Sequence, residues 1–143
     1  MSILLALVLA EATGSVTVDV SNVRSNRGRV HVDICPQARF LEDSCPYSDE
    51  APAHAGTVTV IVHGVPAGQF AAQAFHDENA NGDIDRAMFG IPKEGVGFSR
   101  DARIRFSPPK WRDAVFSHDG RAGRIHFALR YFMGPSGPPP PRR

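Results

Sequence analysis

"SVTVDVSNV", Ser15 to Val23, sets Val16, Val18 and Val20 on one side of an extended chain and Thr17, Asp19 and Ser21 on the other. A period of two over β-branched residues marks a half-buried strand. The pattern recurs along the chain. "GRVHVDIC" aligns Val30, Val32 and Ile34 against Arg29, His31 and Asp33. "GTVTVIVHGV" aligns Val58, Val60 and Val62, and "GRIHFALRYF" aligns Ile125, Phe127, Leu129 and Tyr131 with Arg124, His126 and Arg130 outward. No segment carries a long helical period, although the sequence allows a short helix around Ala38–Glu42. "SNRG", Ser25 to Gly28, is read as a hairpin turn joining the first two strands. "VPAGQF" uses Pro66 and Gly68 to turn the chain into "QFAAQAFHD". The expected fold is all-β, an antiparallel sandwich whose two sheets bury their apolar faces on each other.

The chain has 143 residues, 42% of them hydrophobic, which is enough for one domain with one core. Sixteen basic residues against 15 acidic ones give a formal charge of +1. That balance gives no reason to expect a nucleic-acid partner, which calls for a concentrated basic face. "MSILLALVLA", residues 1–10, has the length of a signal-peptide apolar region, with Val8 and Ala10 as small residues before Glu11. It lacks a basic leader, so a first buried strand or a frayed apolar end is the alternative. It is too short to span a bilayer, which takes roughly 20 apolar residues. Residues 1–10 are thus read as a signal peptide or its remnant, residues 13–133 as one β-sandwich domain, and 134–143, "GPSGPPPPRR", as a disordered or polyproline II tail. Export to the periplasm or beyond is expected, with no transmembrane segment left after the signal is removed. In an oxidising compartment Cys35 and Cys45 of "CPQARFLEDSCP" would staple the connection after a strand. Two buried free thiols are the alternative. Their spacing fits neither a CxxC redox pair nor a complete zinc site.

Between Asp77 and Trp111 the alternation fades into a stretch rich in Gly, Pro and charge, with Phe89, Phe98, Phe106 and Trp111 interspersed. Connections this long are uncommon unless functional or disordered, and the aromatics argue for order. The expectation is one long ordered excursion over an end of the sandwich, with a strand around Ala102–Phe106. It begins with "FHDENANGDID", Phe75 to Asp85. Asp77, Asn79 and Asn81 fall at positions one, three and five of an EF-hand-like loop, Gly82 at six and Asp85 at nine, and the Asp83 carbonyl could add an oxygen. Position twelve is Met88 where a bidentate Glu is needed, so any calcium site would be weak. The alternative is a tight Asn81-Gly82 turn, with Asp77 and Asn79 bonded to loop backbone. Calcium is therefore the one cofactor suggested.

His76 shares the core parity of Phe70, Ala72 and Ala74 and is read as a hydrogen-bonded structural residue. The sequence has no G-x-S-x-G, no P-loop and no H-E-x-x-H. No residue is assigned a catalytic role. The competing reading is a hydrolase or other enzyme using Asp77, Glu94 and His76.

"FHDENANGDID", "FGIPKEGVGFS" and "ARIRFSPPKWRDAVF" resemble the bacterial family called domain of unknown function 2141. The resemblance runs from the first strand to Tyr131. It implies an exported, all-β, immunoglobulin-like or prealbumin-like (transthyretin-like) domain and no particular activity. It marks His76, Gly82, Gly90, Pro92, Glu94, Gly95, Gly97 and Phe98 as the loop's structural signature. Trp111 stands where a smaller aromatic is expected, and the Cys35/Cys45 pair need not be general. The leading expectation is a non-enzymatic binding or structural module, acting on an unidentified ligand or protein.

Overall fold

The computed structural model describes residues 12–42, 45–81, 94–104 and 107–140. Among them the chain is nearly all β. In chain order the strands are β1 (Thr13–Val23), β2 (Arg29–Cys35), β3 (Tyr47–Pro52), β4 (Gly56–Pro66), β5 (Gly68–Asp77), β6 (Val96–Phe98), β7 (Phe116–His118) and β8 (Gly123–Ala128). The one α-helix among the described residues is α1, Trp111–Ala114. In place of a helix around Ala38–Glu42 there is a single 3-10 turn, Gln37–Arg39.

The strands form two sheets. One has three strands in the order β4-β1-β8, and the other has five, ordered β3-β2-β5-β6 with β7 also on β5. The alternation places the core as expected: Val16, Val18, Val20, Val58, Val60, Val62, Val30, Val32, Ile34, Phe70, Ala72, Ala74, Phe127 and Leu129 form one buried cluster shared by both sheets. Burying one apolar face of each sheet against the other is what stabilises such a pair, since a lone sheet leaves that face wet.

Three expectations fail. β1 and β2 are not a hairpin. They belong to different sheets, so "SNRG" is a crossing between layers. β8 runs parallel to β1, with Val18 opposite Ile125, so the sheets are antiparallel-rich and not wholly antiparallel. The described part of the supposed strand at 102–106, residues 102–104, is coil. Its Ala102 instead packs in a second small cluster with Ala71 and Ala114, flanked by Phe40, Phe98 and Trp111. Periodicity tells which face a residue takes but not which strand lies beside it, and the first two misses have that origin.

Ala71 has the parity opposite to Ala72, so the second cluster lies on the outer face of the five-stranded sheet. Trp111 meets Phe40 edge-on, with ring centroids 5.7 Å apart, and Phe40 meets Phe98 at 6.2 Å. The loop carrying Phe40 is closed by the Cys35–Cys45 disulfide, whose Cα atoms are 5.2 Å apart. Past β8 the chain returns to the end of β1, where Asn22 Nδ2 donates to the carbonyls of Leu129 (2.9 Å) and Ser136 (2.8 Å).

Reducing the disulfide releases a loop whose closure is worth about 3 kcal/mol in the chain-entropy model. The melting temperature of the reduced protein, or of Cys35→Ser/Cys45→Ser, should fall accordingly. Trp111 fluorescence should shift in the same samples as Phe40 loosens. A protein equally stable in reductant would show that the bridge contributes nothing.

Candidate functional site

β5 ends in His76 and Asp77. Neighbours on a strand point to opposite faces, so their chemistry diverges at once. His76 faces inward and is 0% exposed. Its Nε2 lies 2.7 Å from the Arg27 carbonyl, which can only accept, so the network assigns the proton to Nε2. Nδ1 is then the acceptor, and the Tyr131 hydroxyl donates to it across 2.9 Å. The Tyr131 oxygen in turn accepts the Arg24 amide at 3.0 Å. Burial pushes the Tyr131 hydroxyl up to about 12, which keeps it protonated as this donor. Both imidazole nitrogens are thereby occupied.

The Arg24 guanidinium lies over the Tyr131 ring, 4.4 Å from its centroid. It pairs with Glu78, its Nε donating at 3.0 Å and Nη2 closer still. Its Nη1 donates to the carbonyls of Met133 (2.6 Å) and Pro135 (3.1 Å). Ser25 Oγ donates to the other Glu78 oxygen at 3.0 Å. Burial raises the Glu78 pKa, but the hydrogen bonds from Arg24 and Ser25 and the charge of Arg24 outweigh it. The carboxyl is held below its ordinary value. One network therefore joins the end of β1, the β1–β2 crossing, the end of β5 and the chain after β8.

Two glycines make this packing feasible. Gly95 lies under Tyr131: a Cβ there would sit 2.5 Å from the ring. Gly28, at φ +70°, is pressed on the Asp77 carbonyl, where a side chain would overlap. The Gly95 carbonyl also accepts the His76 amide at 2.8 Å.

Asp77 is 2% exposed. Its Oδ1 accepts the Asn81 amide at 3.1 Å, and Asn79 Oδ1 accepts the same amide at 3.3 Å. The Ala80 amide donates to the Asp77 carbonyl at 3.2 Å. These are backbone-capping bonds of a turn. Gly82, Asp83, Asp85, Gly90 and Pro92 lie outside the described residues. Glu94 re-enters buried, at 4% exposure. Gly97 and Phe98 pair in β6 with Ala74 and Gln73. Among the described residues no three His, Cys, Asp or Glu side chains gather to hold a metal ion.

A second polar cluster is on the outer face of the five-stranded sheet. His31 Nε2 lies 3.0 Å from Asp33 Oδ1, and His31 Nδ1 is 3.6 Å from Glu50 on β3. The hydrogen bond to Asp33 pushes the imidazole above its ordinary value, against the opposing effect of burial. Alternation alone made Asp33 an outward residue, yet it is buried.

The chain belongs to the bacterial family of domain of unknown function 2141. The match covers residues 18–126, and the family is described as an uncharacterized protein conserved in bacteria. No curated protein and no solved structure matches the chain. The matched region includes Arg24, His76 and Glu78 but stops short of Tyr131, to which the resemblance had been extended. Sequence reasoning missed Arg24, Glu78 and Tyr131. The signal was available for Tyr131: a tyrosine in phase with a core face needs a partner for its hydroxyl.

Tyr131→Phe leaves the ring packing intact but strands His76 Nδ1 and the Arg24 amide. It should cost about 1–3 kcal/mol in denaturant unfolding. An unchanged midpoint would mean water replaces the hydroxyl.

Glu78 gives a pH test. Its pKa is lowered on folding, so its contribution is complete above the ordinary value of 4.5 and is lost as pH falls through the folded value. Glu78→Gln should flatten that part of the acid limb of stability against pH. A variant whose acid limb overlays the wild type would exclude this assignment.

Proposed function

We propose that this chain is an exported, non-enzymatic binding or structural domain with an immunoglobulin-like or prealbumin-like sandwich, presenting the family's signature loop, residues 77–99, as its contact surface. The observation that carries this reading is how His76 is spent. Both its nitrogens are committed, to Tyr131 and to the Arg27 carbonyl, so neither is left for a substrate or a metal. One oxygen of the Asp77 carboxylate, Oδ1, accepts a loop amide. Groups used in this way fix the root of a loop. Acid–base catalysis by Asp77, Glu94 and His76 would need them turned toward a shared space.

The disulfide supports an oxidising compartment. Among the described residues no helix is long and apolar enough to cross a membrane. Residues 77–85 offer weak calcium ligation as part of the same proposal, through Asp77, Asn79, Asn81, Asp85 and a carbonyl near Asp83. In this role calcium would order the contact loop and carry no chemistry.

Two measurements test the reading. Mature protein recovered from the cell envelope should begin near Glu11 and contain no free thiol; cytoplasmic protein with Met1 intact and reactive thiols would overturn export. Calcium should raise the melting temperature through a stabilisation of about 2.7 kcal/mol at a hundredfold excess over the dissociation constant. Asp77→Ala should abolish that increment. A wild-type unfolding curve unmoved by millimolar calcium would reduce the loop to a turn.

A further inference from the structure

A sheet edge exposes a row of unpaired amides and carbonyls, and proteins guard such rows with charge, proline, short strands or covering segments. The edges at β3, β8, β6 and β7 are guarded. β3 carries exposed Asp49 and Glu50 and ends in Pro52. At β8 the Ala128 amide donates to Asp101 Oδ1 at 2.8 Å. Just beyond, Arg130 and Val96 exchange two backbone hydrogen bonds, at 2.8 and 3.0 Å, which also closes β6. β7 is three residues long.

β4 is different. It runs for 11 residues, pairs with β1, and no described strand pairs with its other edge. From Gly56 to Pro66 it contains no Asp, Glu, Lys or Arg. Thr57 to His63 is a proline-free run dominated by β-branched residues, the kind of segment that pairs readily with another strand. Its inner valines, Val58, Val60 and Val62, are fully committed to the core. On its outer side Ile61 stands 44% exposed between Thr59 and His63.

We propose that the free edge of β4 is a homotypic interface, on which a second copy of the chain pairs antiparallel about Ile61. A two-fold axis sets each residue against itself or a near neighbour, so a charge close to the axis would meet its own kind. An uncharged strand is the one suited to self-pairing, and an acidic or basic peptide would find no complementary charge on it. With Ile61 opposite its own counterpart, Val60 faces Val62 and Thr59 faces His63. Inner residues stay inner, outer residues stay outer, and the two half-exposed isoleucines cover each other. The three-stranded sheets of the two copies become one continuous sheet.

Sedimentation equilibrium of the full chain tests this, read as mass against concentration. The wild type should approach twice the chain mass. Ile61→Lys puts two ammonium groups face to face, and it should weaken association by roughly tenfold or more while cooperative unfolding persists. Should Ile61→Lys fail to fold, the double variant Thr59→Lys/His63→Lys, which sets lysine against lysine in the same register at two exposed positions, serves the same purpose. A wild type that stays monomeric throughout overturns the proposal, as does a dimer that survives in the folded lysine variant. A dimer lost on deleting residues 1–11 but retained in the lysine variant places the contact on the amino-terminal segment and also overturns it.

Discussion

A fully buried imidazole must find one acceptor and one donor, because leaving either nitrogen bare costs as much as a lost hydrogen bond or more. His76 meets that condition with two groups from distant parts of the chain, the Arg27 carbonyl and the Tyr131 hydroxyl. The β1–β2 crossing must therefore approach β5 on one side, and the chain after β8 must come back on the other. Gly28 and Gly95 let the backbones come that close. The network has the His76–Tyr131 hydrogen bond at its centre and the Arg24–Glu78 ion pair at its rim. The ion pair is itself largely buried, and the hydrogen bonds from Arg24 and Ser25 with the charge of Arg24 outweigh the desolvation of Glu78.

The strands were legible in the sequence because their signal is local. Val16, Val18 and Val20, or Val58, Val60 and Val62, alternate without exception, and the structure buries all six. Sheet membership was not legible. Nothing within "SNRG" distinguishes a hairpin from a crossing between layers, since both need the same turn residues. The choice is made by β4 and β8, which flank β1 from 33 to 107 residues away along the chain, taking Val23 to Gly56 and Val16 to Gly123. The parallel pairing of β8 is still less local, because a tight turn can join only antiparallel neighbours.

The site divides along the same line. His76 was readable as a satisfied core histidine from its phase with Phe70, Ala72 and Ala74. Its partners were not, because Arg24 and Tyr131 join it only once both sheets exist. Composition made the acidic loop conspicuous, yet Asp77 and Asn79 both turn to one backbone amide. Side chains of this type serve as turn formers and as calcium ligands through the same oxygens, so sequence alone cannot separate the two roles.

Arg24 shows why the loop root depends on that residue type. Its guanidinium is planar and multidentate: it covers the Tyr131 face, holds Glu78 through two nitrogens and still reaches the carbonyls of Met133 and Pro135. A lysine ammonium is a point charge with three donors and could not span these directions from one position. The backbone amide of the same residue feeds the Tyr131–His76 relay. One residue at the end of β1 thus fixes the loop that follows β5 and the segment that follows β8. The loop root and the carboxy-terminal segment are tied to each other through Glu78 and Arg24.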